Sequence, residues 1–204
     1  MTKAPVLIGL TGGPGVGKSE VAGYLAKKGA VVIQADLIGH ELLRSHKAAK
    51  NRILRLLGRG ILDEKAKLSR RRIAARVFNS PELLIKFNAI IHPLLLRELK
   101  KRLKQASLKS RRRYVVVDAA LIYEWAIADW FDIVVTVTAA RNIRLKRLRS
   151  LGLSLRGAGR RISSQIPQRD KIALADWVIE NNSTKKALFG KIDKFLEQLN
   201  SIFC

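Results

Sequence analysis

The sequence predicts a three-layer α/β/α sandwich on a mainly parallel sheet of five strands, and three observations predict it. Five apolar, largely β-branched runs (6–10, 30–35, 114–119, 132–137 and 175–181) alternate with stretches of helical spacing, the pattern of parallel strands joined by crossover helices. A glycine-rich octapeptide stands at the first strand-to-helix junction. Acidic residues follow the second strand and close the third, where open parallel sheets place their ligands. No repeat, linker or low-complexity segment divides the 204 residues. That length suits one α/β domain with a real core and one small inserted subdomain.

The first strand, Val6 to Leu10, enters the octapeptide Gly12-Gly13-Pro14-Gly15-Val16-Gly17-Lys18-Ser19, which fits G-x-x-x-x-G-K-[ST] at every fixed position. Glycines let successive backbone N–H groups turn around a polyphosphate at a helix N-terminus, where the macrodipole also favours anions. Gly13, Pro14, Gly15, Val16, Gly17, Lys18 and Ser19 are therefore expected to bind ATP. Lys18 would reach the β- and γ-phosphates, and the Ser19 hydroxyl would ligate Mg²⁺. A dinucleotide fingerprint would need glycine where Lys18 stands. The following helix spans Ser19 to Lys28 and stops at Gly29.

The second strand leads into Asp36, at a carboxyl end facing a ligand site; an aspartate there also serves as N-cap of the next helix, read as Leu37 to about Leu57. Ser69 caps a short helix, Arg70 to Phe78. Ser80-Pro81-Glu82 opens a long helix with serine at N-cap and proline at N1. Pro93 predicts a kink or break in it, just after His92. His92 reads as a core or kink-satisfying histidine more readily than as a catalytic one.

The third strand ends in Asp118, in the position of an acid that holds Mg²⁺ directly or through water, or of a plain strand-end turn residue. Glu124 either faces the site or starts a helix. Trp125, Trp130 and Phe131 read as core or hinge aromatics. Beyond the fourth strand comes the most basic stretch, where Arg141, Arg144 and Arg147 share one helix face. Arginines here would balance charge on a transferring phosphoryl group, or else form a solvated face. A last strand and an amphipathic helix opened by Ser183-Thr184 complete a P-loop α/β sandwich.

Hydrophobic residues make up 48% of the chain, which excludes a disordered polymer. The single cysteine, Cys204, gives no disulfide framework, no apolar stretch is long enough to cross a membrane, and a cytoplasmic protein is expected. The net charge of +24 exceeds what one triphosphate and one acidic substrate require. Basic residues lie along the whole chain, as drift toward solvated basic faces would leave them, and incidental nucleic-acid binding follows from such a field.

Several local patterns, in order, resemble the dephospho-CoA kinase family over essentially the whole chain. They are Leu10-Thr11-Gly12-Gly13 with its GxGKS continuation, Ala35-Asp36, Leu62-Asp63, Val77-Phe78, Ile91-His92-Pro93 and Leu121-Ile122-Tyr123-Glu124. Gly152-Leu153-Ser154, Arg161-Ile162, Gln165 and Ala175-Asp176-Trp177-Val178-Ile179 with Asn181 complete the set. The resemblance implies ATP-dependent phosphorylation of the ribose 3′-hydroxyl of dephospho-CoA, the final step of coenzyme A biosynthesis, with Mg²⁺ and no obligatory protein partner.

It further implies a core of residues 1–36, 111–140 and 171–204, a helical CoA-binding insertion over 37–110 and a lid over 141–170. Asp36 becomes the base, Lys18 and the lid arginines Arg147 and Arg149 stabilise transferred charge, and Asp36, His92, Glu124 and Arg161 meet substrate. Ser19 and Asp118 hold the metal. This chain departs from the family at Ala120, where proline is usual, and at Ser150, where the lid arginine is usual. Two rival readings remain at this point: a P-loop kinase for another small acceptor such as a nucleotide or shikimate-like alcohol, and a basic ATP-binding protein of nucleic acid.

Overall fold

The computed structural model describes residues 4–109 and 113–203; Cys204 and positions 111–112 of the expected second core segment lie outside them. The chain divides into two compact units, Met1–Ile33 with Leu103–Cys204, and Gln34–Arg102.

The larger unit is built on a five-stranded sheet in the order β2-β3-β1-β4-β5. The strands are β1 (Val6–Thr11), β2 (Val31–Gln34), β3 (Tyr114–Asp118), β4 (Ile133–Thr138) and β5 (Trp177–Glu180). Every strand lies within three residues of its expected bounds. β1 is central and pairs in parallel with β3 and β4, and β4 with β5. Its register sets Leu10 opposite Asp118 and Thr11 opposite Thr136, so the third strand's acid sits level with the start of the glycine-rich loop.

One sheet face, carrying Ile8, Leu10, Val116, Val135 and Ile179, packs against α1 (Lys18–Lys27) and α9 (Lys185–Phe203) through Val21, Leu25, Ile192 and Phe195. Val115, Val117 and Val134 are buried on the alternate face. Burial on both faces explains why these strands read as continuous apolar runs. α1 ends as foreseen: Gly29, at φ 93°, donates to the Ala26 carbonyl and Ala30 to Leu25, a left-handed cap. The remaining helices of this unit are α6 (Arg141–Ser150), α7 (Leu155–Ser163) and α8 (Gln168–Ala173). Trp125, Trp130 and Phe131 are half-buried rather than central to the core.

The smaller unit is helical: α2 (Ala35–Ser45), α3 (Lys47–Leu57), α4 (Arg70–Val77) and α5 (Pro81–Lys109), the last of which runs on into the larger unit. Ser69 caps α4 by accepting from Arg72 N–H, and Ser80 caps α5 by accepting from Leu83 N–H at 3.3 Å, as expected. Two expectations are corrected. The single helix over 37–57 is two helices, parted at His46, whose ring nitrogen accepts from Ala49 N–H at 3.2 Å and caps α3. Of the kink or break expected at Pro93, the break does not occur, and α5 continues through it. A helix-interior proline costs about 3 kcal/mol, and Ile90, Ile91, Leu95 and Leu99, buried on either side of it, contribute about 1.5–3 kcal/mol apiece. Burial wins. Among the described residues no helix is long and apolar enough to cross a membrane.

Candidate active site

The loop between β1 and α1 is held open by backbone geometry that glycine allows. Gly17, at φ 88°, is the N-cap of α1, and Gly15 stands at φ 78°. A Cβ on Gly15 would fall 2.7 Å from the Arg144 carbonyl oxygen, so both conformation and space demand glycine there.

What holds the loop comes from far down the chain. Arg144 is only 6% exposed, and its Nε donates to the Pro14 carbonyl at 3.0 Å. Arg147 donates to the carbonyls of Gly15 (3.3 Å) and Val16 (3.1 Å), and to that of Asn181 (3.2 Å). The Asn181 amide donates to Val16 at 2.8 Å. With the carbonyls of residues 14 to 16 drawn outward onto these donors, the loop's N–H groups are left for an anion, in the arrangement of a nest at a helix N-terminus. Burial and the neighbouring Arg141 depress the Arg144 pKa below the ordinary arginine value.

Lys18 lies at the first position of α1, where its ammonium pairs with Asp118 at the end of β3. Ser19 follows, exposed in the first turn. Among the described residues no three His, Cys, Asp or Glu side chains gather to make a protein-only metal cage. One hydroxyl and one carboxylate beside a polyphosphate nest suit Mg²⁺, which keeps waters and takes phosphate oxygens, rather than Zn²⁺, which needs three or four protein ligands.

Glu124 has a definite place. Its carboxylate pairs with Lys171 at 2.9 Å and accepts from Ile166 N–H at 3.2 Å. Lys171 is 1% exposed, and its Nζ also donates to the Ala120 carbonyl at 2.5 Å. That same carbonyl accepts the Thr11 hydroxyl at 3.1 Å. Burial pulls the Lys171 pKa below the ordinary lysine value, and Glu124 opposes the shift. The turn after Asp118, the foot of the phosphate loop and the helix following the lid segment thus meet on one ammonium group.

Arg149 and Arg161 are exposed in the last turns of α6 and α7, with no ion pair among the described residues. In the smaller unit Asp36 is exposed in the first turn of α2, one residue inside the helix rather than at its cap, where its charge complements the helix dipole. His40, one turn on, has its pKa lowered by burial and by Arg70, with Asp36 opposing. His92 is half-buried in α5 and its pKa is likewise lowered by burial.

Sequence reasoning assigned no individual role to Lys171 or Asn181, and read Arg144 only as one of the arginines that would meet a transferring phosphoryl group. Arg144 announced itself only through its shared helix face with Arg147. Lys171 gave no signal, because Arg169-Asp170-Lys171 reads as a solvated turn.

The sequence model of the dephospho-CoA kinase family matches residues 6–187. A dephospho-CoA kinase of Leifsonia xyli subsp. xyli is 37% identical over 188 residues, covering 92% of this chain and 95% of that one. Among solved structures, a protein of Thermus thermophilus superposes with a TM-score of 0.79 at 29% identity, over 97% of this chain and 99% of that one. A dephospho-CoA kinase of Campylobacter jejuni superposes with a TM-score of 0.69 at 22% identity over 95% of this chain and 96% of that one, a likeness of fold.

Proposed function

The chain belongs to the dephospho-CoA kinase family, and on that premise we propose how its residues divide the reaction. The enzyme transfers the γ-phosphoryl group of ATP to the ribose 3′-hydroxyl of dephospho-CoA, giving coenzyme A and ADP. The pairing of Lys18 with Asp118 beside the glycine-rich loop carries the assignment of roles, because it sets a cation and a carboxylate where the triphosphate's charge must be met.

The N–H groups of residues 13 to 19 receive the phosphates. Lys18 exchanges Asp118 for the β- and γ-phosphate oxygens and stabilises the charge that builds during transfer. Ser19 and Asp118 are the residues that would hold Mg²⁺, which when bound neutralises phosphate charge. Asp36 takes the proton of the 3′-hydroxyl as its oxygen forms the new P–O bond and the bond from the γ-phosphorus to the bridging oxygen of ADP breaks. Its exposed carboxylate supports that role.

Arg149 and Arg161, free of ion pairs among the described residues, are assigned to the phosphoryl group and the substrate. Arg147 is committed to three backbone carbonyls, so we assign it to positioning the loop. His92 contacts substrate in this reading. Glu124, taken up by Lys171 and Ile166, holds the frame instead. We place the enzyme in the cytoplasm.

The test is ADP release from Mg-ATP with and without dephospho-CoA, with coenzyme A identified by mass. Dephospho-CoA-dependent ADP together with the product 3′-phosphate is expected. ATP binding without that product would overturn the assignment of substrate.

A further inference from the structure

The excess positive charge is not spread evenly over the fold. Lys or Arg occupies eleven of the thirty positions from 47 to 76, against Asp63 and Glu64 alone. That segment carries +9 of the chain's +24. It folds within the smaller unit as one layer. Arg76 donates to the Leu57 carbonyl at 2.5 Å and Arg72 to the Leu62 carbonyl, tying α4 back onto the end of α3 and the turn after it. The layer's apolar residues Ala49, Ile53, Leu57, Ile61 and Ile73 are buried, and ten of the eleven cations are exposed.

None of these eleven side chains forms an ion pair among the described residues. Three surface lysines of the larger unit are paired instead: Lys28 with Asp193 at 2.7 Å, Lys185 with Glu20 at 3.0 Å and Lys191 with Glu180 at 3.6 Å. Asp63 is spent on its own turn, accepting from the N–H groups of Lys65 (3.0 Å) and Lys67 (2.8 Å). Beside the layer lies a groove of about 610 Å³ lined by Arg44, Lys50 and Lys67, whose one acid, Glu41, is bonded to Arg102. A concentrated cationic surface whose cations outnumber its two acids by nine is complementary to a polyanion.

The chemistry narrows the partner. Seven of the eleven cations are arginines, whose forked guanidinium matches phosphate oxygens two at a time. No large hydrophobic residue is exposed between 47 and 76, so the layer has no apolar side to sink into a lipid surface. The segment also has no Phe, Tyr or Trp on which bases could stack. We propose that the α3–α4 layer is a nucleic-acid-binding surface that grips the phosphodiester backbone without reading sequence. This is a binding activity separate from phosphoryl transfer.

The test uses the full chain and a fluorescein-labelled RNA, with a DNA duplex of equal length in parallel, titrated across a range of salt. Three proteins are compared: wild type; a face variant carrying Lys47→Gln, Arg52→Gln, Arg55→Gln and Arg59→Gln; and a control carrying Lys27→Gln, Lys185→Gln, Lys186→Gln and Lys194→Gln. Wild type should bind with an affinity that falls steeply with salt. The face variant should bind at least about tenfold more weakly, with a log–log salt slope flatter by about one for each phosphate no longer gripped. The control should bind like wild type. Equal loss in both variants, or attachment to phosphatidylglycerol vesicles with no affinity for RNA or DNA, would overturn the proposal. A measurement that needs no variant is acylation of wild-type lysines. RNA should shield Lys47, Lys50, Lys65 and Lys67 while Lys186 and Lys194 react unchanged, and uniform shielding would count against a face.

Discussion

The guanidinium of Arg147 donates to the Val16 carbonyl at 3.1 Å, joining a helix of the larger unit to the middle of the phosphate loop across 131 positions of sequence. An arginine in a region expected to form a lid is thereby tied to the loop itself. Arg147→Ala should raise KM for ATP and lower kcat/KM by about tenfold or more, since a charge-assisted hydrogen bond contributes about 1.5–3 kcal/mol. Arg147→Lys should rescue little, because an ammonium cannot span three carbonyls. Arg149→Ala should instead lower kcat with KM for ATP nearly unchanged. Steady-state kinetics on the three proteins separate positioning from contact with the transferring group, and identical profiles would sink the division of labour.

Lys18→Ala should lower kcat by about 10²–10³, the scale on which removing one preorganised donor to the reacting group slows an enzyme. The variant also leaves Asp118, 7% exposed, without its cation. Lys18→Ala with Asp118→Asn should therefore recover thermal stability but not turnover, as unfolding scans beside the kinase assay will show.

Asp36→Asn should lower kcat by about 10²–10⁴ with ATP affinity intact, the range for loss of a general base. A variant defective only in binding ATP would contradict the assignment.

Breaking the Lys171–Glu124 pair should cost more than removing it whole. Lys171→Met strips the Glu124 carboxylate of its ammonium partner, and Glu124→Gln leaves an ammonium buried with no countercharge; severing a buried pair costs about 3–5 kcal/mol. The carboxylate is 18% exposed, which puts its own share of that cost at the lower end. The double variant should be more stable than Lys171→Met or Glu124→Gln alone, as denaturant unfolding of all four proteins will measure.

Acid should destabilise the protein through its histidines. His40 and His92 both have folded pKa values lowered, in each case first by burial, so between those values and about 6.5 the unfolded chain binds more protons. Stability is then full above about pH 6.5 and falls as the pH drops through the folded-state values. Replacing both residues by Gln should flatten the dependence of unfolding free energy on pH over that window, and an unchanged slope would assign the acid sensitivity elsewhere.

The sheet was legible because strands buried on both faces are apolar throughout, and the caps at Ser69 and Ser80 because capping is chemistry between neighbours in sequence. The phosphate loop was legible for a related reason: its glycines declare backbone conformation locally. His46 was not, since the break between α2 and α3 rests on an imidazole acting as a cap and no glycine or proline marks it. Pro93 does not end its helix, because a local cost is outweighed by burial that only the packed helix reveals. The support of the site was hidden for the same reason. Lys171 and Arg144 carry charges that a sequence pattern assigns to solvent, and only tertiary structure takes them inside.

The bonds from Arg144, Arg147 and Asn181 to the loop also bear on the order in which the protein is made. Residues 12 to 19 leave the ribosome well before the donors that fix their carbonyls, which follow about 130 to 165 positions later. A nascent chain carries the complete motif long before it holds the shape that receives a phosphate. Contacts so distant in sequence form late and slowly. Nucleotide affinity should arise only once the chain has been made as far as Asn181.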